Sequence, residues 1–459
     1  MDLRIAKYSH VIIKSRFMNF IFIFFCSNLK SKMNNRLQLL LSLSRFCRMT
    51  TTQQVIQRRK FATTNSDVNH SVRDLSSAFF RTDTSNPAEH NDLHHGLFYR
   101  IPNDIANRLF LLGGFDKCQQ ETIKIFQETA IMIRKPALEV IDYLRRTDFN
   151  RPPNSYVLYG PIGSGKTFTL NHILHYGFTQ KFILLNCTRP TDWINYPQEQ
   201  TVSATNSKRI DTPLDAAIWL QSFKAQNMSL LDELKLTSLN RYTWSQREHT
   251  EPGDPIQSII DHGINRIKHA SDCMAVLLKE LKLNSAQGNC RLLIVADKVN
   301  AFYELSRLRF PDRTFVNVDD ITIARAFKKL FRKDWQNGAI VAAVCKKLVV
   351  PYRLLPISGI PKKEKDRDRT YKQWGPFTVK HLSDYPKALL TDQGFQDFDP
   401  FIPIECGKYD EKEFHSCMDY YQDRKWLQRI ESKTDEGQDE IRFLSGMNPG
   451  QVFHLCSDI

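Results

Sequence analysis

Downstream of residue 150 the chain alternates between short apolar runs and longer stretches of helical periodicity. Residues 155–158, 182–186, 292–296 and 339–344 read as strands, and 401–404 as a fifth. Between them, 166–176 suits a helix. Thr212-Pro213 opens another helix, with Ala217, Leu220 and Phe223 turned inward. A long helical region covers 254–283, and a shorter one 321–331. Strands alternating with helices predict a parallel α/β sheet. Beyond the fifth strand, Asp410 and Glu413 have the spacing of a capping box, for a helix reaching Trp426.

The upstream pattern differs. Ile123, Phe126, Ala130, Ile131 and Ile133 recur at three- and four-residue steps, which predicts helix across 96–143. Pro136 opens a further helix. Residues 62–95 are polar and aperiodic and read as a flexible arm. The expected division is an N-terminal extension with a targeting peptide (1–61), the arm (62–95), a helical region (96–150), the sheet domain (151–406) and a C-terminal helical lid (407–459). The charged stretch 361–372 reads either as a solvated loop or as a contact for RNA phosphate or protein.

Composition narrows the class. A chain of 459 residues with 41% hydrophobic and 25% charged residues buries a core of two or three units, which excludes a rod or wholesale disorder. The net charge of +14 is unevenly spread: twelve Lys/Arg and one acid, Asp2, lie between Met1 and Phe61, a net of +11 against +3 for the rest. The basic charge belongs mostly to the N-terminal segment and is weak evidence for a nucleic-acid-coating body. From Met33 the segment is rich in Arg, Ser, Thr and Leu, with Arg36, Arg45 and Arg48 around a leucine cluster, as in a mitochondrial transit peptide. Arg59-Lys60-Phe61 marks processing, with a mature start near Ala62. Met33 reads as the working start and 1–32 as an upstream extension. The apolar run from Phe17 to Cys26 is half of what a bilayer requires, and no later segment spans one. The ten cysteines form no C-x-x-C pair and read as free thiols in a reducing compartment.

One motif carries chemistry. Gly160-Pro161-Ile162-Gly163-Ser164-Gly165-Lys166-Thr167 satisfies G-x-x-x-x-G-K-[ST] between a strand and a helix. Glycines let backbone N–H groups turn in around phosphates, and the helix offers its positive end. Lys166 reaches the β- and γ-phosphates, and Thr167 ligates magnesium. The strand 292–296 ends in Asp297, the carboxylate that completes the metal site. Many P-loop ATPases place a glutamate next, to polarise the attacking water; Lys298 stands there, so the sequence describes a nucleotide holder rather than a fast enzyme. No catalytic residue is singled out. No N-K-x-D motif is present, so the residues leave GTP and ATP open.

These motifs, in this order, resemble the death-associated protein family, the GTP-binding protein of the mitochondrial small ribosomal subunit. The resemblance runs over 96–459 and rests on MIRKPALEVIDYL (132–144), LYGPIGSGKTFTL (158–170), DTPLDAAIWLQSFKAQN (211–227), Tyr242-Thr-Trp244, VADKVNAFY (295–303), DPFIPI (399–404) and Asn448-Pro449. It implies an AAA-like P-loop NTPase core, bound GTP or GDP with magnesium, and a matrix location on the mitochondrial ribosome. It implies small-subunit proteins and some ribosomal RNA as partners, a bridge to the large subunit, a role in mitochondrial translation and a link to apoptosis. The chain departs from the family at Lys298, where glycine is usual, and at Cys345-Lys346-Lys347, where a Ser-Lys-Thr-like turn is usual. A mitochondrial AAA-type ATPase or GTPase that switches partners by hydrolysis is the competing reading.

Overall fold

The structure, a computed structural model, describes residues 80–110, 113–349 and 383–457. The targeting segment 1–61, the first part of the arm and the charged stretch 361–372 lie outside the described residues.

A three-stranded sheet comes first. Strand β1 (Arg81–Thr82) pairs in parallel with β2 (Phe98–Ile101), which pairs antiparallel with β3 (Thr129–Met132). Helices α1 (Asn103–Phe110) and α2 (Lys117–Phe126) connect β2 to β3. The helical reading of 96–150 is thus corrected at two places. Helix α2 stops where Gln127 turns left-handed at φ 57°, and the apolar recurrence beyond it belongs to a strand. Ile131 in the strand and Ile133 just beyond it, two residues apart, are both buried in the same core. The arm is corrected too, from residue 80 on. Asn86 and Asn91 cap two 3-10 turns, Pro87–Glu89 and Asp92–His94, and Phe80 and His90 are buried.

Helix α3 (Lys135–Arg146) begins with Pro136 in its first turn, as expected. The main sheet follows: β4 (Asn154–Tyr159), β5 (Ile183–Cys187), β6 (Leu292–Ala296), β7 (Gly338–Ala343) and β8 (Phe401–Glu405). Their order is β8-β4-β7-β6-β5 and every pairing is parallel. All five sit within a residue or two of the predicted runs. Both faces are covered, so alternate residues enter two cores. Leu292, Ile294 and Ala296 face α5 (Pro213–Leu234), α6 (Ile256–Asn265), α7 (Ala270–Ala286) and α8 (Thr322–Phe331). Leu293 and Val295 face α3 and the helix after β4, α4 (Lys166–Thr179). The single helix expected over 254–283 is two, because Arg266 leaves helical geometry (φ −117°, ψ 75°) before the 3-10 turn Ile267–His269.

At the C-terminus the capping box forms as read. The Asp410 side chain accepts from Glu413 N, and Glu413 accepts from Asp410 N, opening α9 (Glu411–Asp423). Helices α10 (Asp435–Ser445) and α11 (Pro449–Ser457) complete a third core with Phe98, Phe126 and Met132 of the small sheet. None of the helices among the described residues is long and apolar enough to cross a membrane. The chain leaves β4 towards β5 on one side and returns from β7 to β8 on the other. The carboxyl end of β4 therefore lies at a topological switch point, where open α/β sheets bind ligands.

Candidate nucleotide site

Residues 160–165 join β4 to α4 at that switch point. Gly160, Gly163 and Gly165 hold φ of 136°, 83° and 88°, a region that side chains rarely enter. At Gly160 a Cβ would also stand 2.2 Å from the Cys406 carbonyl oxygen, so the loop packs directly on the chain leaving β8. Ser164 is fully buried beneath the turn, while Ile162 at its tip is exposed.

Lys166 opens α4 and donates from Nζ to the carbonyls of Gly160 and Pro161, each at 2.7 Å. Burial holds its ammonium below the usual lysine range. Thr167 Oγ1 donates to Asp297 Oδ2 at 2.9 Å, across 130 residues of sequence. Asp297 is buried at the end of β6, and burial raises its carboxyl above the ordinary range against the pull of Lys298 and Thr167. A hydroxyl and a carboxylate oxygen therefore stand side by side at the start of α4, a hard-oxygen pair of the kind magnesium takes. The glycine turn, the lysine and this pair suit a polyphosphate with a divalent cation. Of the residues singled out in the sequence, Gly160 to Lys166 form the turn and the helix start, and Thr167 is the one that hydrogen-bonds Asp297.

The structure adds residues that the sequence did not indicate. A cleft beside Thr167 and Asp297 is lined by Phe115, Gln119, Asn186 and Arg189, together with the Lys298 already noted in the sequence. Arg189 follows β5 and donates to the Phe115 carbonyl at 3.2 Å. Lys298 itself is left-handed, at φ 52°, a conformation glycine would adopt without strain. Asn300 exchanges two 3.0 Å hydrogen bonds with the backbone of Cys345, tying the ends of β6 and β7 together. On the outer side of the loop, buried Arg134 donates to the Ser164 carbonyl at 2.6 Å and forms a forked pair with Glu413, both bonds at 3.0 Å. Among the described residues, two clusters elsewhere contain metal-ligand types: Glu248, His262 and His269, and His95, Asp410 and Glu413. In each an arginine, Arg266 or Arg134, already occupies the carboxylate. Both read as ion-pair networks.

Fold and loop together define an α/β protein with a parallel five-stranded sheet and a phosphate-loop sequence at its switch point. A family model, mitochondrial ribosomal death-associated protein 3, matches residues 131–455. The chain is similar to small ribosomal subunit protein mS29 of Bos taurus, at 34% identity over 380 residues, 83% of this chain and 88% of that protein. It is similar to mS29 of Mus musculus, at 34% over 379 residues, 83% of this chain and 89% of that one. The chain belongs to the mitochondrial ribosomal death-associated protein 3 family.

Proposed function

We propose that the chain is a structural protein of the mitochondrial small ribosomal subunit that holds a guanine nucleotide with magnesium above β4. Its family and its mS29 relatives support the ribosomal role and the mitochondrial ribosome as its location. The 2.9 Å hydrogen bond between Thr167 and Asp297 carries the nucleotide reading, because it brings a loop residue and a strand-end carboxylate into one metal-binding pair. The sheet order, with β7 between the loop strand and the carboxylate strand, supports an AAA-like P-loop core. The choice of guanine rests on the family resemblance. Lys166 would pair with phosphate oxygens, the loop N–H groups would cradle them, and Thr167 and Asp297 would hold the metal. Small-subunit proteins are the main partners, with some ribosomal RNA and a contact to the large subunit.

The test is chemical and physical. Protein purified from mitochondria is denatured, and its nucleotide is identified by chromatography; the native protein is sedimented with ribosomal subunits. A guanine nucleotide in the wild type, none in Lys166→Ala, and co-migration with the small subunit are expected. Wild-type protein free of nucleotide would overturn the binding reading. Sedimentation away from the subunit, with fast turnover, would favour the hydrolytic switch instead.

A further inference from the structure

The outer face of the phosphate loop is gripped by groups distant in sequence. Three consecutive loop carbonyls each accept a hydrogen bond from outside: Ile162 from Asn448 Nδ2 at 3.0 Å, Gly163 from Gly450 N at 2.8 Å, and Ser164 from Arg134 Nη1 at 2.6 Å. In a planar trans peptide, the N–H of the next residue points opposite to the carbonyl. Holding these three oxygens outward therefore turns the N–H groups of Gly163, Ser164 and Gly165 towards the inside of the loop. That of Ser164 reaches across to the Pro161 carbonyl at 3.3 Å.

We propose that Asn448, Gly450 and Arg134 are positioning residues that preset this loop, and that the seating of α11 on the loop is coupled to nucleotide binding within it. The proposal rests on the nucleotide reading above. Asn448 does two jobs with one amide. Its Oδ1 caps α11, accepting from Gly450 N at 3.1 Å and Gln451 N at 3.2 Å, while its Nδ2 holds the loop. The contact is close: a Cβ on Gly163 would lie 2.6 Å from Asn448 Oδ1, and one on Gly450 2.9 Å from Gly163 Cα. Arg134 fixes the other end, since its guanidinium also donates to the Gly407 and Lys408 carbonyls and pairs with Glu413 of α9. If the C-terminal turn favours the anion-ready loop, a bound anion favours the C-terminal turn by the same factor.

Two variants separate clamp from cap. Asn448→Ser and Asn448→Asp each keep an N-cap oxygen for α11 and lose the donor to Ile162. Their agreement excludes the added charge of aspartate as the cause. Binding of GDP with magnesium is measured by calorimetry on the full chain, and amide exchange of residues 450–457 of α11 is followed with and without GDP. Both variants are expected to bind about tenfold more weakly, the scale of one hydrogen bond, with little change in melting temperature of the nucleotide-free protein. Nucleotide should slow α11 exchange in the wild type and much less in the variants. Wild-type affinity in both variants, or α11 exchange indifferent to nucleotide, overturns the coupling. If the wild type binds neither GDP nor GTP, the nucleotide reading fails on its own. Exchange of the loop amides, 163–167, then decides the clamp: faster in both variants supports it, and unchanged overturns it.

Discussion

Three imidazoles are buried where the first described residues meet the loop-bearing helix α4. His90 Nδ1 and His172 Nε2 are 2.9 Å apart, and His90 Nε2 lies 2.9 Å from the Thr84 carbonyl. That carbonyl only accepts, so His90 carries its proton on Nε2; its Nδ1 then accepts, and His172 donates. His175 Nδ1 faces the Tyr99 hydroxyl at 3.3 Å. Burial pushes His90 and His175 down to about 4, and holds His172 well below the usual imidazole range. At His90 the Thr84 bond and Glu89 oppose the shift, while His94 and Arg145 reinforce it. The unfolded imidazole titrates near 6.5, so below that pH the unfolded chain takes up protons the fold refuses. Stability is complete above pH 6.5 and falls as pH drops towards 4. At pH 5 the loss is about 2 kcal/mol for each of His90 and His175, a large share of a domain's typical 5–15 kcal/mol. Burial raises the carboxyls of Asp297, Asp215 and Asp272, which act in the opposite direction, so the comparison needs a variant sharing them. His175→Phe keeps the ring stacked on Tyr99 and removes one titrating group. Urea unfolding at pH 7.5 and 5.0 should show wild type losing about 2 kcal/mol more than His175→Phe. Equal pH dependence in the two proteins would refute the reasoning. Residues 84–95 should also exchange their amides faster at pH 5, once the intrinsic rate is corrected, because His90 anchors them.

Other outcomes follow from the site. Glu413→Gln leaves the buried Arg134 guanidinium without its carboxylate and should cost about 3–5 kcal/mol in urea unfolding; a loss below about 1 kcal/mol would mean that the pair is dispensable. Lys298→Gly relieves a left-handed residue and should raise stability by about 0.5 kcal/mol despite glycine's freer unfolded state, read as a small rise in melting temperature. Single-turnover hydrolysis of GTP by metal-loaded protein should be slow, and faster in Lys298→Glu; a wild-type rate of about 1 per second, within the range of kinases, would contradict the holder reading.

The main sheet was legible because its strands β4 to β7 are buried on both faces. Five apolar residues in a row, Leu292–Ala296, leave no other economical reading, and the phosphate-loop spacing is local. The capping box of Asp410 and Glu413 was legible for the same reason. Strands β2 and β3 were not. Each is four residues long, and the recurrence around them fits a helix until Gln127 breaks it. The outer half of the site was illegible for a different reason. Arg134 meets Glu413 across 279 residues, and Asn448 meets Ile162 across 286. No periodicity or spacing encodes such pairs. Arg189 shows the limit most plainly: it sits just past a strand that was read correctly, yet its partner in the cleft, the Phe115 carbonyl, lies 74 residues away in sequence.

The placement of these unreadable residues bears on what a nucleotide would do here. The loop has an inner face that would receive phosphate and an outer face held by Arg134, Asn448 and Gly450. Arg134 belongs to the segment just before α3, Asn448 to the turn between α10 and α11, and Gly450 to the first turn of α11, so two regions distant in sequence meet on six residues of backbone. A ligand on the inner face would fix the one wall on which the others lean. Held at a thousand times its dissociation constant, it would add about 4 kcal/mol to the stability of that junction without any turnover. A hydrolytic switch needs the same junction to loosen when one phosphate leaves. The forked Arg134–Glu413 pair, buried and satisfied by two further carbonyls, opposes such loosening. A nucleotide bound as proposed would thus meet a junction built to be braced rather than loosened.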